Sequence, residues 1–259
     1  MEFVKKKLAE GKLVLGSFAK LPSPAVAEIM TLAGFDFVVV DFEPGAIGIE
    51  TAENMVRAVQ AAGGCPLARV AENSPALIAQ ALELGVGGVH VPMVESRADA
   101  EKAVRATRFP PAGDRPKAGA ARSGRYGFRP AEDYFARADA EEVLLVVHIE
   151  SGPAVENLAE IVSVPGIDVA YVGPNDLTQS LDLKGPGAGE TLSRIYRDVA
   201  LHLKNTNVVP GIFVKDPAAA EGLVAQGYRY LAYSSDVNLL RGATAKAVET
   251  FSGLPGRGR

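Results

Sequence analysis

The sequence has no tryptophan and a single cysteine, Cys65, so no disulfide can close within the chain. A reduced, cytoplasmic setting is the natural expectation. There is no Cys cluster and no HExxH pattern, which leaves no basis for a structural or protease-type zinc site. Charge of one sign is also scarce in any one place. Acids and bases are interspersed around a net charge of −4, with no basic block and no cluster of base-stacking aromatics, so nucleic acid is not an expected partner. Long apolar runs are missing too. The longest, such as Val38–Val40 and Val143–Val147, are strand-sized, whereas a membrane-spanning helix needs ~20 apolar residues. Met1–Glu2–Phe3–Val4 leads into three lysines rather than an apolar signal core. No GxGxxG follows the first strand, which argues against a dinucleotide fold.

What the chain does have is regular alternation over 259 residues, of which 47% are hydrophobic. Short apolar runs predict strands at Leu13–Phe18, Phe37–Asp41, Pro66–Val70, Gly88–Pro92, Val143–Ile149, Val169–Val172, Val209–Val214 and Tyr230–Ser234. Runs such as Phe37–Asp41 are continuously apolar, as parallel strands covered on both faces should be. Between them lie amphipathic segments with helix signals. Ser23–Pro24 is a cap followed by proline at the first helical position, and Gly34, Gly63 and Gly85 mark stops. Eight such units in this length predict one α/β domain, a (β/α)8 barrel over residues 1–251, with a Gly-rich disordered tail at 252–259. The stretch from Arg108 to Asp139 reads as a long irregular loop, functional or engaged in subunit contacts.

Active sites of such barrels lie at the C-terminal ends of the strands. Five consecutive predicted strands bring polar residues there. Asp41 and Glu43 end the second, Arg69 the third, and His90 sits on the fourth. His148 and Glu150 end the fifth, and Gly173–Pro174–Asn175–Asp176 follows the sixth. Glu150 and Asp176 come from adjacent strand ends. Such a pair, with room for water and substrate oxygens, suits a hard octahedral cation, Mg2+ or Mn2+, with Co2+ as a further option. Against this, Glu150 is also placed to cap the helix near Gly152, and Asp176 to be a first-turn acid favoured by the helix dipole. Arg69 offers a planar fork to a substrate oxygen and to a developing enolate, or an ion pair to Asp41 or Glu43. His148 and Glu150 are two apart on a strand and face the same way. His148 is therefore expected either as a base or further metal ligand, or simply as a hydrogen-bonding neighbour. His90 is expected as packed interior and His202 as helix surface. Lys20 and Lys215 also end strands, but nothing near them would desolvate a Schiff-base lysine.

These pieces resemble the HpcH/HpaI family of metal-dependent class II pyruvate aldolases, the hydroxy-oxo-heptanedioate aldolase type. The resemblance runs from Gly11 to Val248. It is carried by Ala33–Glu43, by the Arg69 strand end, and by Val91–Pro92–Met93–Val94. Arg105–Arg115, Val147–Ser151 and Val172–Leu177 complete it. The resemblance implies that Glu150 and Asp176 ligate the metal and that a 2-oxo acid, pyruvate or oxaloacetate, chelates it. Gly173, Pro174 and Asn175 would hold the substrate carboxylate through backbone N–H groups of the turn. Arg69 would sit over the keto oxygen, and Asp41 and Glu43 would hold water around the metal. It also implies a homo-oligomer, a hexamer that exchanges C-terminal helices, here Val237–Glu249.

Two departures stand out. The family usually has histidine directly after the Asp-x-Glu of strand two, paired with an aspartate on the third helix. Here those positions are Pro44 and Glu83. Proline cannot carry a proton, and Glu83 alone is left as a group acting from outside the first ring of contacts. The second departure is His148, where glutamine is common. The expected activity is a carbon–carbon lyase, an aldolase acting through a metal-stabilised enolate. The alternatives are a citrate-synthase-like condensing enzyme that adds the enolate to an acyl thioester, and a 2-oxo acid binder with little aldolase activity.

Overall fold

Alternation of interior and exterior side chains along each strand builds the architecture. The structure, a computed structural model, describes residues 3–43, 46–252 and 254. Its eight strands are β1 (Val14–Ala19), β2 (Phe37–Asp41), β3 (Cys65–Arg69), β4 (Gly88–Val91), β5 (Leu144–Ile149), β6 (Val169–Val172), β7 (Val209–Val214) and β8 (Tyr230–Ser235). They pair in parallel, each with the next, and β8 closes on β1. The chain thus has the (β/α)8 barrel that its periodicity predicts. The inward set includes Val14 and Phe18, Phe37 and Val39, Cys65 and Leu67, Leu144 and Val146, Val169 and Tyr171, and Tyr230 and Ala232. The outward set, including Val38, Val40, Ala68, Val89, Leu145 and Val147, packs beneath the helices. One residue of register slip on any strand would exchange these two sets.

The helices are α1 (Val4–Ala9), α2 (Pro24–Leu32), α3 (Ile49–Ala61), α4 (Pro75–Glu83), α5 (Arg97–Thr107), α6 (Ala131–Arg137), α7 (Gly152–Glu156), α8 (Leu158–Val162), α9 (Pro174–Ser180), α10 (Ala188–Leu203), α11 (Ala220–Gln226) and α12 (Asp236–Thr250). Serines cap several of them as local sequence predicts. Ser23 accepts from the Val26 N–H, Ser96 from Asp99 and Ser151 from Ala154. Ser151, not Glu150, is therefore the cap of α7, which leaves the Glu150 carboxylate for another task. Asn157 separates α7 from α8.

Two regions differ from the sequence expectation. Residues 4–9 form a helix that covers the base of the barrel, with Val4 and Leu8 packed into the interior cluster. Lys5 pairs with Asp168 there and Lys7 with Asp36. The stretch expected as an irregular loop contains a short 3-10 segment at Arg122–Gly127, then α6. It is held down by Arg115, whose guanidinium bonds the Tyr134 hydroxyl at 2.9 Å and lies 4.4 Å from the centre of the Phe109 ring. Such anchors act between segments distant in sequence and leave no periodic trace. The chain-terminal stretch 252–259, expected as disordered, lies outside the described residues apart from Ser252 and Leu254. No helix among the described residues is long and apolar enough to cross a membrane.

Candidate active site

At the C-terminal mouth of the barrel the strand ends surround a cavity of about 490 Å3. Among its walls are Glu43, Arg69, His148, Glu150 and the turn Gly173–Pro174–Asn175–Asp176. The separate strand ends singled out in the sequence are thus brought to one place. Strand register does this directly: Asp41 stands beside Arg69, and His148 beside Tyr171.

Arg69 is held by two carboxylates and an aromatic ring. Its Nε and Nη2 bond the two oxygens of Asp41 at 2.8 and 2.6 Å, and Nη1 reaches Glu43 Oε2 at 2.5 Å. Asp41 is fully buried behind it, and Lys20 approaches the same carboxylate at 3.6 Å. The guanidinium rests 5.0 Å from the centre of the Phe18 ring. The ion pair and the exposure of the fork to the cavity therefore coexist. Glu43 is half-buried. Burial first, then the charges of Glu150 and Asp41, push its carboxyl above the ordinary range, against the pull of Arg69 and His148.

Glu150 is buried and accepts one hydrogen bond on each oxygen. The Met93 N–H donates to Oε1 at 2.9 Å, and His148 Nδ1 lies 2.9 Å from Oε2. Burial works to raise this carboxyl. His148, the Met93 N–H and Arg69 together outweigh it and hold Glu150 below the usual range. Met93, two residues after β4, has a positive φ of 52°, a conformation uncommon for a residue with a side chain, and its N–H bonds Glu150. Sequence reading gave Met93 no role beyond the matching segment Val91–Val94.

Gly173 shows how closely Glu150 and Asp176 approach. A Cβ there would lie 2.8 Å from Glu150 Oε2, 2.9 Å from Glu150 Cβ and 3.7 Å from Asp176 Oδ2. The missing side chain leaves a cradle onto which both carboxylates open. No group of three or more His, Cys, Asp or Glu side chains among the described residues forms a ready metal cage. The donor set fits a hard cation that takes two carboxylates and fills its remaining positions with water or substrate oxygens.

Two expectations are revised, and a third cannot be placed. His148 lines the cavity but is 1% exposed, and both its ring nitrogens are engaged, Nδ1 with Glu150 and Nε2 with His90 at 3.0 Å. It is built as a partner of Glu150 rather than as a free base at the mouth. Glu83 is not in this wall. It ends α4, which runs back toward the base of the barrel, and its carboxylate accepts from Ser123 at 2.8 Å and pairs with Arg115 at 3.3 Å. Within one chain it stands at the opposite end of the barrel from the mouth. Pro44 lies outside the described residues. The sequence reading did not single out Phe18, Tyr171, Phe213, Ser235 and Asn238, which complete the wall. Inward parity along β1, β6 and β7 was the available signal for the three aromatics.

The family model for HpcH/HpaI aldolase/citrate lyase matches residues 15–243. The chain belongs to this family. It is 34% identical over 243 residues to the 2-dehydro-3,6-dideoxy-6-sulfogluconate aldolase of Pseudomonas putida, covering 94% of this chain and 93% of the relative. It is 32% identical over 251 residues to the 5-keto-4-deoxy-D-glucarate aldolase of Escherichia coli O157:H7 (strain EC4115 / EHEC), covering 95% of each. The crystal structure of the HpcH/HpaI aldolase from Desulfitobacterium hafniense DCB-2 superposes with a TM-score of 0.93 at 30% identity over the full length of both chains. This HpcH/HpaI family member is an enzyme of the aldolase type, a carbon–carbon lyase.

Proposed function

We propose that the cavity binds a small 2-oxo acid, pyruvate or oxaloacetate, beside a divalent cation, Mg2+ or Mn2+ with Co2+ as a third option, and converts it to its enolate for carbon–carbon bond cleavage or formation. The observation that carries this reading is the convergence of Glu150 and Asp176 on the Gly173 cradle, with Arg69 in the same cavity. When bound, the cation supplies Lewis-acid polarisation of the keto group and acidifies the adjacent methyl protons. The chain's own residues do the rest. Glu150 and Asp176 hold the cation. Arg69, fixed by Asp41, places a donor where the enolate oxygen develops charge. The first-turn N–H groups of Asn175 and Asp176 have no acceptor within α9 and would serve the substrate carboxylate. Asp41 and Glu43 orient Arg69 and nearby water. Titration calorimetry with pyruvate tests this: binding is expected with Mg2+ present and lost after exhaustive chelation or in Glu150→Gln.

Gly173→Ala is a sharper probe, because its methyl group would enter the space between the two carboxylates. It is expected to weaken Mn2+ binding about tenfold or more, measured by electron paramagnetic resonance of free Mn2+. Unchanged affinity would place the cation elsewhere.

The enzyme is further proposed to work in the cytoplasm as a homo-oligomer, with a hexamer expected. Exposed apolar side chains support this: Ile29 and Leu32 on α2 are 65% and 69% exposed, Leu240 on α12 is 54% exposed, and Phe128 is 92% exposed. α12 itself buries only Asp236. Sedimentation at micromolar concentration is expected to show the assembly, and a monomer would contradict it.

A further inference from the structure

From Glu150 and His148 in the cavity wall, a chain of polar groups runs down into the barrel interior. Glu150 Oε2 lies 2.9 Å from His148 Nδ1, His148 Nε2 lies 3.0 Å from His90 Nδ1, and His90 Nε2 lies 2.6 Å from the Tyr230 hydroxyl. His90 and Tyr230 are fully buried. Around them stand the rings of Phe18, Phe37 and Tyr171.

Counting hydrogens fixes the direction of this chain. A neutral imidazole has one N–H and one bare nitrogen. The ionised Glu150 only accepts, so His148 carries its hydrogen on Nδ1. His148 Nε2 is then bare, and His90 must donate to it from Nδ1. His90 Nε2 is bare in turn and accepts from the Tyr230 O–H. Every hydrogen finds an acceptor. The opposite direction requires a doubly protonated His148. It also leaves the Tyr230 hydrogen without an acceptor among the described residues, in a fully buried position where an unpaired donor is costly. Burial above all holds His90 far below the ordinary imidazole range, in keeping with a neutral ring.

We infer that His90, with its far end fixed by Tyr230, is a positioning residue that acts through His148: it locks His148 in the Nδ1–H tautomer and so holds the Glu150 carboxylate in one orientation toward Asp176. The effect on the cation rests on the function proposed above, whereas the tautomer lock is a property of the chain alone. Partners of a ligating group that act at one remove typically change metal affinity 10- to 100-fold.

Long-range 15N–1H NMR of the histidine rings tests this on the whole protein without added metal. The chain has three histidines, and exposed His202 on α10 serves as the internal reference. Both His90 and His148 are expected as Nδ1–H tautomers. His90→Met removes the donor, so the His148 tautomer should become mixed and Mn2+ affinity should fall about tenfold. His90→Gln supplies an amide N–H toward His148 and a carbonyl toward Tyr230, and should restore both. A wild-type ring with its hydrogen on Nε2 and a bare Nδ1 overturns the inference even if the methionine variant does not fold. So does a folded His90→Met protein with an unchanged His148 tautomer and unchanged Mn2+ affinity. Failure of the wild type to bind Mn2+ would count against the proposed function, while the tautomers still decide the lock.

Discussion

Arg69→Lys is expected to slow pyruvate methyl-proton exchange by about a hundredfold to a thousandfold, although positive charge is kept. The reason is geometric. Arg69 uses Nε and Nη2 to hold both oxygens of Asp41 and still has Nη1 at Glu43 and at the cavity. Lysine has one ammonium on a flexible stem, which cannot make the paired contact and offer a directed donor at once. The fully buried Asp41 would lose its two-point partner, so some loss of stability should accompany the kinetic effect. Thermal unfolding followed by circular dichroism separates the two. A folded variant with wild-type exchange would show that Arg69 is only a clamp on Asp41.

Pro44→His should raise retro-aldol cleavage of hydroxy-oxo-diacids by about a hundredfold to ten-thousandfold without improving pyruvate affinity. Enolate formation relies on the cation, Arg69 and a modest base. Cleavage also needs a base positioned on the substrate hydroxyl, and proline at position 44 provides none. The natural protein is accordingly expected to enolise pyruvate or oxaloacetate well and to cleave such diacids poorly. Condensation with an acyl thioester, which involves no substrate hydroxyl to deprotonate, is the activity to assay beside it. Glu83→Asp belongs in the same series. Glu83 sits at the opposite end of its own barrel, so an aspartate there can orient a histidine at 44 only across a subunit boundary. An additional gain from that second substitution would show a shared site. Efficient cleavage by the unmodified enzyme would contradict the expectation for Pro44 and point to another base, such as Glu43 or water.

The barrel was readable because its signal is local and repeated. Apolar strands bounded by glycine and proline recur eight times, and their ends name the mouth without any three-dimensional information. Arg69, Glu150 and Asp176 were assigned to the mouth on that ground, and all three line its cavity. The lock on Glu150 was not, because it depends on register: His90 meets His148 across β4 and β5, and Tyr230 arrives from the far side of the barrel. Buried imidazoles rarely go unpaired, so His90 on a strand one position round from His148 carried a faint signal of a partner. Glu83 is absent from the mouth of its own barrel for a different reason. Family pattern put it beside the catalytic base, whereas a helix that follows a barrel strand must end at the opposite face, and that rule alone places Glu83 at the base. The segment from Arg108 to Asp139 escaped because Arg115, Phe109 and Tyr134 order it through side-chain contacts rather than periodicity.

Deuterium exchange of the pyruvate methyl group, followed by proton NMR with and without divalent cation, tests the central claim most directly, since it reads enolisation without requiring the second substrate. Exchange is expected with Mg2+, Mn2+ or Co2+, and it should vanish on chelation and in Glu150→Gln and Asp176→Asn. Exchange that persists at the wild-type rate in the chelated enzyme, or in both carboxylate variants, would contradict the assignment of this cavity as a cation-assisted enolisation site.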